Sequence, residues 1–167
     1  MQNSQEEIRI VLANEHDSEE LVAFLRSPEI DRSFVPPLTA REISIEARVH
    51  TKLQSGFWLI AREDDVIAGC RGCNGLIEKK KRIVEFSTLA IHPAYRRRDL
   101  GTRLVIESVD LAVVRYAPDI MKFDSWVTNT FVEEVARNLG FAKHRIYDDP
   151  KRPPGIKSVE YRWERDK

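Results

Sequence analysis

Residues 85–104 constrain the fold of this chain more than any other stretch, because three local patterns follow one another there. Residues 83–91 carry β-favouring apolar side chains and predict a strand. A proline and a basic loop, 96–101, come next, and the apolar spacing then becomes helical. A strand that leads through a loop into a helix directs unpaired backbone N–H groups at one point, where the helix dipole favours negative charge. Three arginines beside that point predict a phosphate-binding turn.

The apolar periodicity along the chain predicts the element order βααβββαβαββ. Such an order favours a single domain, 1–167, with an α/β fold: a mixed sheet of about seven strands flanked by about four helices. The predicted strands are 8–13, 57–62, 66–73, 83–91, 120–128, 142–147 and 158–164, and the two later helices are 100–116 and 130–139.

Local signals predict how these elements begin and end. Three capping boxes, Asp17 with Glu20, Thr39 with Glu42 and Thr130 with Glu133, predict helix starts. Pro28 is expected to stop the first helix, and Ser55-Gly56 the second. Gly140 stands where a left-handed helix cap belongs. Leu100, Leu104, Leu111 and Val114 are expected on one side of the helix 100–116, which is apolar enough to be well covered.

Composition narrows the choice of partners. Hydrophobic residues make up 42% and charged residues 32% of the chain, as in soluble globular proteins. Lys+Arg and Asp+Glu both number 27, so the zero net charge gives no support to a nucleic-acid or membrane partner. The basic run at 78–82 is more simply a solvated hairpin tip than a nucleic-acid patch. The start, MQNSQEEIRI, lacks the apolar run of a signal peptide, and we predict a cytoplasmic location.

Cys70 and Cys73 form a C-x-x-C pair, for which a redox pair and half a zinc site are the alternatives. Zinc normally takes four ligands, and the sequence has no second cysteine pair; its four histidines also lack metal-ligand spacing. Strand positions three apart lie on opposite faces of a sheet, which prevents a disulfide. We therefore predict two unpaired strand thiols and no metal.

The segment HPAYRRRDLGTRL resembles the acyl-CoA-binding signature of the GCN5-related N-acetyltransferases (GNAT), R/Q-x-x-G-x-G/A. Arg96 takes its first place and Gly101 its last, while Asp99 stands where the first glycine is usual. That glycine adopts a left-handed backbone conformation, which Asp also tolerates. Asn129 followed by Gly140-Phe141 resembles the family's N-x(10)-G-F element, and the element order is also that of the family. The chain lacks a P-loop and a G-x-G-x-x-G, which argues against a nucleotide-binding domain.

The resemblance implies the acyl-CoA N-acyltransferase fold and an acetyltransferase. Such a transferase moves an acetyl group from acetyl-CoA, its cosubstrate, to the primary amine of a small molecule or peptide in a ternary complex. The diphosphate is expected on the N–H groups of 97–102, and the pantetheine arm along the strand 89–91. An N–H near Leu89 would polarise the thioester carbonyl. The implied coenzyme-binding residues are Leu89, Ala90, Ile91, Arg96, Arg97, Arg98, Asp99, Leu100, Gly101, Thr102 and Asn129. Asn129 could instead, or in addition, cap a helix.

The implied catalytic residues are Leu89 and Glu85. Glu85 is the candidate general base, because several family members place a base there; its alternative role is a surface or ion-pairing carboxylate. Ala136 occupies the position where many relatives carry a tyrosine general acid, and Tyr147 or Tyr95 are possible substitutes. This missing tyrosine favours the rival function, a non-catalytic acyl-CoA sensor or regulatory module.

The acceptor side is less defined by the sequence. Phe34, Trp58, Trp126 and the loop 148–155 are candidates to line the acceptor pocket, although aromatics at strand positions are more often core. The segment 33–53 occupies the place where substrate specificity varies in the family. The sequence leaves open the acceptor's identity, the length of the acyl group and whether the chain is a monomer or a homodimer.

Overall fold

The computed structural model describes residues 7–166 and contains one mixed sheet of seven strands with five α-helices. The strands lie in the order β1-β2-β3-β4-β5-β7-β6, and all neighbours are antiparallel except the parallel pair β4 and β5. The strands are β1 Arg9–Leu12, β2 Gly56–Glu63, β3 Val66–Glu78, β4 Lys81–Ile91, β5 Ile120–Trp126, β6 Ala142–Asp148 and β7 Lys157–Glu164. The helices are α1 Ser18–Arg26, α2 Pro28–Asp31, α3 Ile45–Ser55, α4 Leu100–Tyr116 and α5 Thr130–Asn138.

The predicted fold class is therefore confirmed, with one short helix, α2, in addition. No helix within residues 7–166 has both the length and the apolarity of a membrane span. The cytoplasmic location remains a prediction.

Two hydrophobic clusters cover opposite faces of the sheet, and β2 shows why. Phe57, Leu59 and Ala61 pack into one cluster with Leu100 and Leu104 of α4. The alternate residues Trp58 and Ile60 pack into the other cluster with α1, α2 and α3. Strand side chains alternate between faces, so one continuous apolar run supplies both cores. We call the two sides the α4 face and the α3 face.

The α3 face is covered over only part of the sheet. Its cluster includes residues of β2 and β3 and Ala90 of β4, but none of the described residues of β5, β6 or β7. On β5 and β7 the apolar residues Phe123, Val159 and Tyr161 belong to the α4 cluster. Their alternate neighbours, which lie on the α3 face, are Lys122, Asp124, Glu160 and Arg162. Over β5 and β7 the α3 face is thus charged and lies outside the apolar cluster, although Glu160 is only 3% exposed; we call this region the open part of the α3 face.

The cysteine prediction is confirmed in its geometry. Cys70 and Cys73 are both free and buried, and they belong to clusters on opposite faces of the sheet. Burial raises the pKa of both thiols, that of Cys73 to about 12, so neither is a reactive thiolate at neutral pH.

The capping boxes were predicted at the wrong residues. Asp17 makes no capping bond on α1, because its carboxylate accepts from the N–H of Asn14 and pairs with Arg62. Ser44 caps α3 in place of Thr39, whose N–H and hydroxyl both bond to Asp31. The α5 helix is capped by its preceding asparagine and not by a box that starts at Thr130.

Several boundaries also differ from the predictions. β3 continues to Glu78, well past the predicted end, and meets β4 at a two-residue turn formed by Lys79 and Lys80 (φ 48° and 67°), a hairpin geometry. β5 ends at Trp126 and not at residue 128. Pro28 ends α1 as predicted but also begins α2. Val114 is 84% exposed, so it does not share the buried side of α4 with Leu100 and Leu104, and α4 is less well covered than predicted.

Candidate active site

β4 and β5 form a fork. They pair over only three positions, and Glu85 with Lys122 is the last of them. Beyond that pair, β4 continues to Ile91 alongside β3, whereas β5 continues to Trp126 alongside β7. The two strands therefore separate at Glu85 and leave the inner edge of β4 without a strand partner.

A β-bulge at Thr88 shapes the open edge of β4. The register with β3 shifts between Ser87 and Leu89, and Thr88 has a φ of 51°, a costly conformation for a β-branched residue. After the bulge, the N–H of His92 donates to Ala68 of β3. Because strand N–H groups alternate in direction, those of Leu89 and Ile91 point away from β3 into the fork. The carbonyl of Ile91 points to the same side as its N–H, and it accepts a bond from the Arg96 side chain there (3.2 Å).

The turn after β4 presents the start of α4 to the same fork. Asp99 precedes the helix in the left-handed conformation (φ 52°), as predicted, and makes no side-chain capping bond. The first helical N–H groups, those of residues 100–102, have no intrahelical carbonyl to bond to. A Cβ on Gly101 would lie 3.6 Å from Phe131 and 3.9 Å from Ile91, so the helix start is next to both the β4 edge and α5.

The three arginines of the turn lie at the surface. Arg98 reaches Glu63 at 3.8 Å and covers the Tyr95 ring at 5.5 Å. Arg97 adopts a left-handed conformation (φ 62°). All three are exposed, so the turn before the helix carries positive charge at the protein surface.

Glu85 lies at the apex of the fork on the α3 face. Its carboxylate is 39% exposed and lies 3.7 Å from the Lys122 ammonium across the β4–β5 pair. The contact with Lys122 is the ion pair of the alternative role, and the role of Glu85 as a general base stays a prediction. A carboxylate that is partly exposed at the end of an open strand pair is accessible to a ligand that enters from the α3 face.

The acetyltransferase (GNAT) family model matches residues 25–141 of the chain, which include the fork, the basic turn and α4. The chain belongs to this family. Its general reaction is therefore acetyl transfer. No curated protein matches the chain. Within residues 7–166 no group of His, Cys, Asp and Glu side chains has a metal-binding arrangement.

Solved structures share the GNAT fold with this chain. An acetyltransferase of the GNAT family from Streptococcus pneumoniae is 19% identical, with a TM-score of 0.74 over 95% of this chain and 99% of that chain. The NatC complex bound to Gag peptide and CoA gives a TM-score of 0.76 at 17% identity, over 96% and 99%. YncA from Salmonella typhimurium, with acetyl-CoA, gives 0.69 at 18% identity, over 96% and 95%.

In this GNAT chain, Asn129 caps α5. Its side chain accepts a bond from the N–H of Val132 (3.3 Å). Gly140 has a φ of 79°, as a left-handed helix cap requires, and Phe141 returns to the α4 cluster. The Asn-to-Gly-Phe element therefore has a structural role, and coenzyme binding by Asn129 stays a prediction.

None of the three positions considered for a general acid presents a free hydroxyl. Ala136 is 1% exposed and packs in the α4 cluster. The Tyr95 hydroxyl donates to Glu63 at 2.7 Å. The Tyr147 hydroxyl bonds to Asp124, and partial burial together with that carboxylate raises the pKa of Tyr147 to about 12. Both tyrosine hydroxyls therefore bond to carboxylates, and the raised pKa of Tyr147 makes it a poorer proton donor.

The predicted acceptor-pocket residues divide into core and surface. Trp58 is fully buried and its indole N–H donates to Val49, so it is a core residue. The loop after β6 is joined to the 33–38 segment by Arg152, which donates to the Val35 carbonyl at 2.7 Å and covers the Trp126 ring at 5.5 Å. This contact places Trp126, the loop and the segment that contains Phe34 along the open part of the α3 face.

Four residues near the fork were not among the predicted site residues. Phe131 lies near Gly101 at the start of α4. Arg71 is 7% exposed, stacks between the Phe86 and Phe123 rings, and has its pKa lowered to about 10 by burial. Arg48 and Lys52 stand one helical turn apart on α3, a spacing that a sequence search for same-face cations would have found.

Proposed function

We propose that the protein is an acetyl-CoA-dependent N-acetyltransferase that acetylates the primary amine of a small molecule or peptide by direct attack in a ternary complex. The observation that carries this proposal is the fork, which has an unpaired β4 edge and a helix N-terminus at one end and the partly exposed Glu85 carboxylate at its apex. Two substrates that enter from opposite sides would meet there.

The coenzyme fits the groups that the fork offers. An extended pantetheine arm bonds to an unpaired strand edge as an added strand does, and 89–91 is such an edge. The diphosphate suits the unpaired N–H groups of residues 100–102, with Arg96, Arg97 and Arg98 around them. The coenzyme supplies an activated acetyl thioester.

Glu85 would act on the acceptor. A primary amine of the lysine type has a pKa near 10.4 and must lose a proton to attack. A carboxylate at the apex takes that proton, directly or through a water. The new bond joins the amine nitrogen to the acetyl carbon, and the carbon–sulfur bond breaks. The Leu89 N–H, which points into the fork, would stabilise the oxyanion in between, a contribution of about 10²–10³ in rate for a single donor.

The leaving thiolate needs no tyrosine in this scheme. A thiol has a pKa of about 8.5, so the thiolate leaves readily and takes its proton from solvent. Catalysis therefore does not require a free hydroxyl at residue 95, 136 or 147.

Thiol release from acetyl-CoA over a panel of primary amines tests the proposal. We expect release that depends on both the amine and the enzyme, with the acetylated amine identified by mass. The rival function, a non-catalytic coenzyme-binding module, predicts tight coenzyme binding with no release above the enzyme-free rate for any amine.

A further inference from the structure

Three cations lie together on the α3 face, and the most buried of them, Lys52, is near enough to Glu85 to interact with it electrostatically. Arg48 and Lys52 project from the same side of α3, and Arg41 lies in the segment that leads into that helix. We call Arg41, Arg48 and Lys52 the cation cluster. It faces the space that an acceptor would occupy if it approached Glu85 from the α3 face.

Lys52 is the most buried member of the cluster, with 4% of the residue exposed. Its stem packs on Gly72, where an added Cβ would come within 2.7 Å of the Lys52 Cδ, and its ammonium lies 5.6 Å from the centre of the Trp58 ring. Gly72 pairs with Ser87, which is two residues from Glu85 on the same side of β4. Two strand residues span about 7 Å, so Lys52 and the candidate base lie within the length of a short acceptor.

Arg48 and Arg41 continue the cluster away from Glu85. The Arg48 Nε is buried and has no hydrogen-bond partner in the described part of the chain. Arg41 donates to the Pro36 carbonyl and covers the Phe34 ring at 5.6 Å, and neither partner carries a negative charge. Burial lowers the pKa of Arg41 and of Lys52, and the charge of Arg48 lowers both further. Asp149 and Asp31 act in the opposite direction on Arg41, and Glu85 does so on Lys52, each more weakly than Arg48.

The nearby carboxylates each have a closer partner outside the cluster and act on it only at longer range. Asp31 accepts two bonds from Thr39. Asp149 lies 3.6 Å from Arg152, and Glu85 lies 3.7 Å from Lys122. Across residues 7–166, no member of the cation cluster has a carboxylate within 4.0 Å.

A cation cluster without a directly bonded carboxylate is unfavourable for folding. Placing like charges together in a partly buried site costs free energy unless an anion joins them. Other buried polar atoms on the same face also lack partners, namely the Asn74 amide oxygen and the Ser87 hydroxyl. Cations and unpartnered polar atoms next to a candidate base indicate that a polar ligand binds there and supplies their missing partners.

We infer that the acceptor amine carries an oxyanion, either a carboxylate or a phosphorus oxyanion, that binds among Arg41, Arg48 and Lys52. The inference rests on the proposed function, since it identifies the substrate class of the same site. It assigns the amine to Glu85 and the anion to the cation cluster, so short amino acids and aminoalkylphosphonates are the expected acceptors.

Matched amines test this inference. Each set contains a linear ω-amino acid, its carboxamide and the aminoalkylphosphonate of the same length, over a series of lengths. We expect kcat/KM for the carboxylate or the phosphonate to exceed that of the neutral carboxamide at least tenfold. The preferred anion identifies the group that the site takes.

Variants locate the anion in the cluster. Arg48→Gln and Arg41→Gln should each remove most of this preference while coenzyme binding, measured by calorimetry, stays unchanged. Arg137→Gln is the matched control, because Arg137 is exposed on α5, across the sheet, and its replacement changes the net charge equally. Two positions in the cluster keep the test valid if one variant fails to fold.

The inference and the proposed function can fail separately. If carboxamides are acetylated as well as the anions, the inference is overturned and the proposed function stands. If no amine is acetylated, the same amino acids are titrated by calorimetry into coenzyme-saturated protein. Binding that is weakened by Arg48→Gln would support the anion site without the proposed reaction. Absence of binding would overturn the inference.

Discussion

Replacement of Lys52 by methionine should stabilise the protein at neutral pH. Methionine keeps an unbranched stem of similar length on Gly72 and Trp58 and removes the ammonium. Burial lowers the Lys52 pKa from 10.5 to about 8, with Arg48 acting in the same direction and Glu85 against it. That difference corresponds to about 3 kcal/mol that the charged amine costs the folded state. Loss of the contact between the ammonium and Trp58 offsets about 1–2 kcal/mol.

The net gain expected at pH 7 is therefore about 1–2 kcal/mol, or about 2–8 °C in melting temperature for a chain of this size. Its pH dependence follows from the lowered pKa. Below pH 8 the amine is charged in both states, and wild type carries the full cost. Between pH 8 and 10.5 the unfolded chain holds a proton that the folded chain has released, so wild-type stability rises with pH relative to the variant.

Urea unfolding of both proteins between pH 7 and pH 10 measures this effect. The stability difference should favour Lys52→Met at pH 7 and shrink as the pH approaches 10. A difference that does not change with pH, or a wild type that is the more stable protein at pH 7, would show that the charge of Lys52 does not cost the folded state free energy.

Three further predictions concern the fork and the thiols. Gly101→Glu should weaken coenzyme affinity about 100-fold or more by placing a carboxylate beside the diphosphate, whereas Gly101→Ala, whose Cβ makes only ordinary contacts, should bind normally; equal affinities in calorimetry would refute the assigned turn. Glu85→Gln should lower kcat about 10²–10⁴-fold without a change in coenzyme affinity, because the candidate base is lost. Lys122→Met should lower kcat much less, and equal effects of the two variants would show that Glu85 is only an ion-pair partner. Cys70 and Cys73 should resist iodoacetamide at pH 8 until the protein unfolds, because burial raises the pKa of both; rapid labelling of the native protein would contradict their placement.

The parts of the fold that depend on short-range patterns could be predicted from the sequence. The strand, turn and helix of 85–104 have the predicted order, because apolar periodicity and a left-handed residue before a helix are local properties. Asp99 adopts the expected backbone conformation for that reason. Gly140 likewise caps a helix from a position that its neighbours define.

Features that depend on distant partners could not be predicted in this way. Asp17 and Glu20 have the spacing of a capping box, but Arg62 of β2 lies within 2.9 Å of Asp17 and 2.6 Å of Glu20. Val114 has the spacing of a buried residue, but no element packs over it, since it is 84% exposed. The burial of Lys52 arises because Gly72 of β3, twenty residues later in the sequence, leaves room for its stem beside Trp58.

Calorimetric titration of the folded protein with acetyl-CoA and with free CoA tests most directly whether the fork and the basic turn hold the coenzyme. We expect saturable one-to-one binding of both forms, lost in Gly101→Glu and kept in Gly101→Ala. Absence of binding heat for both coenzymes, at several temperatures and with well-folded protein, would contradict the assignment of this site.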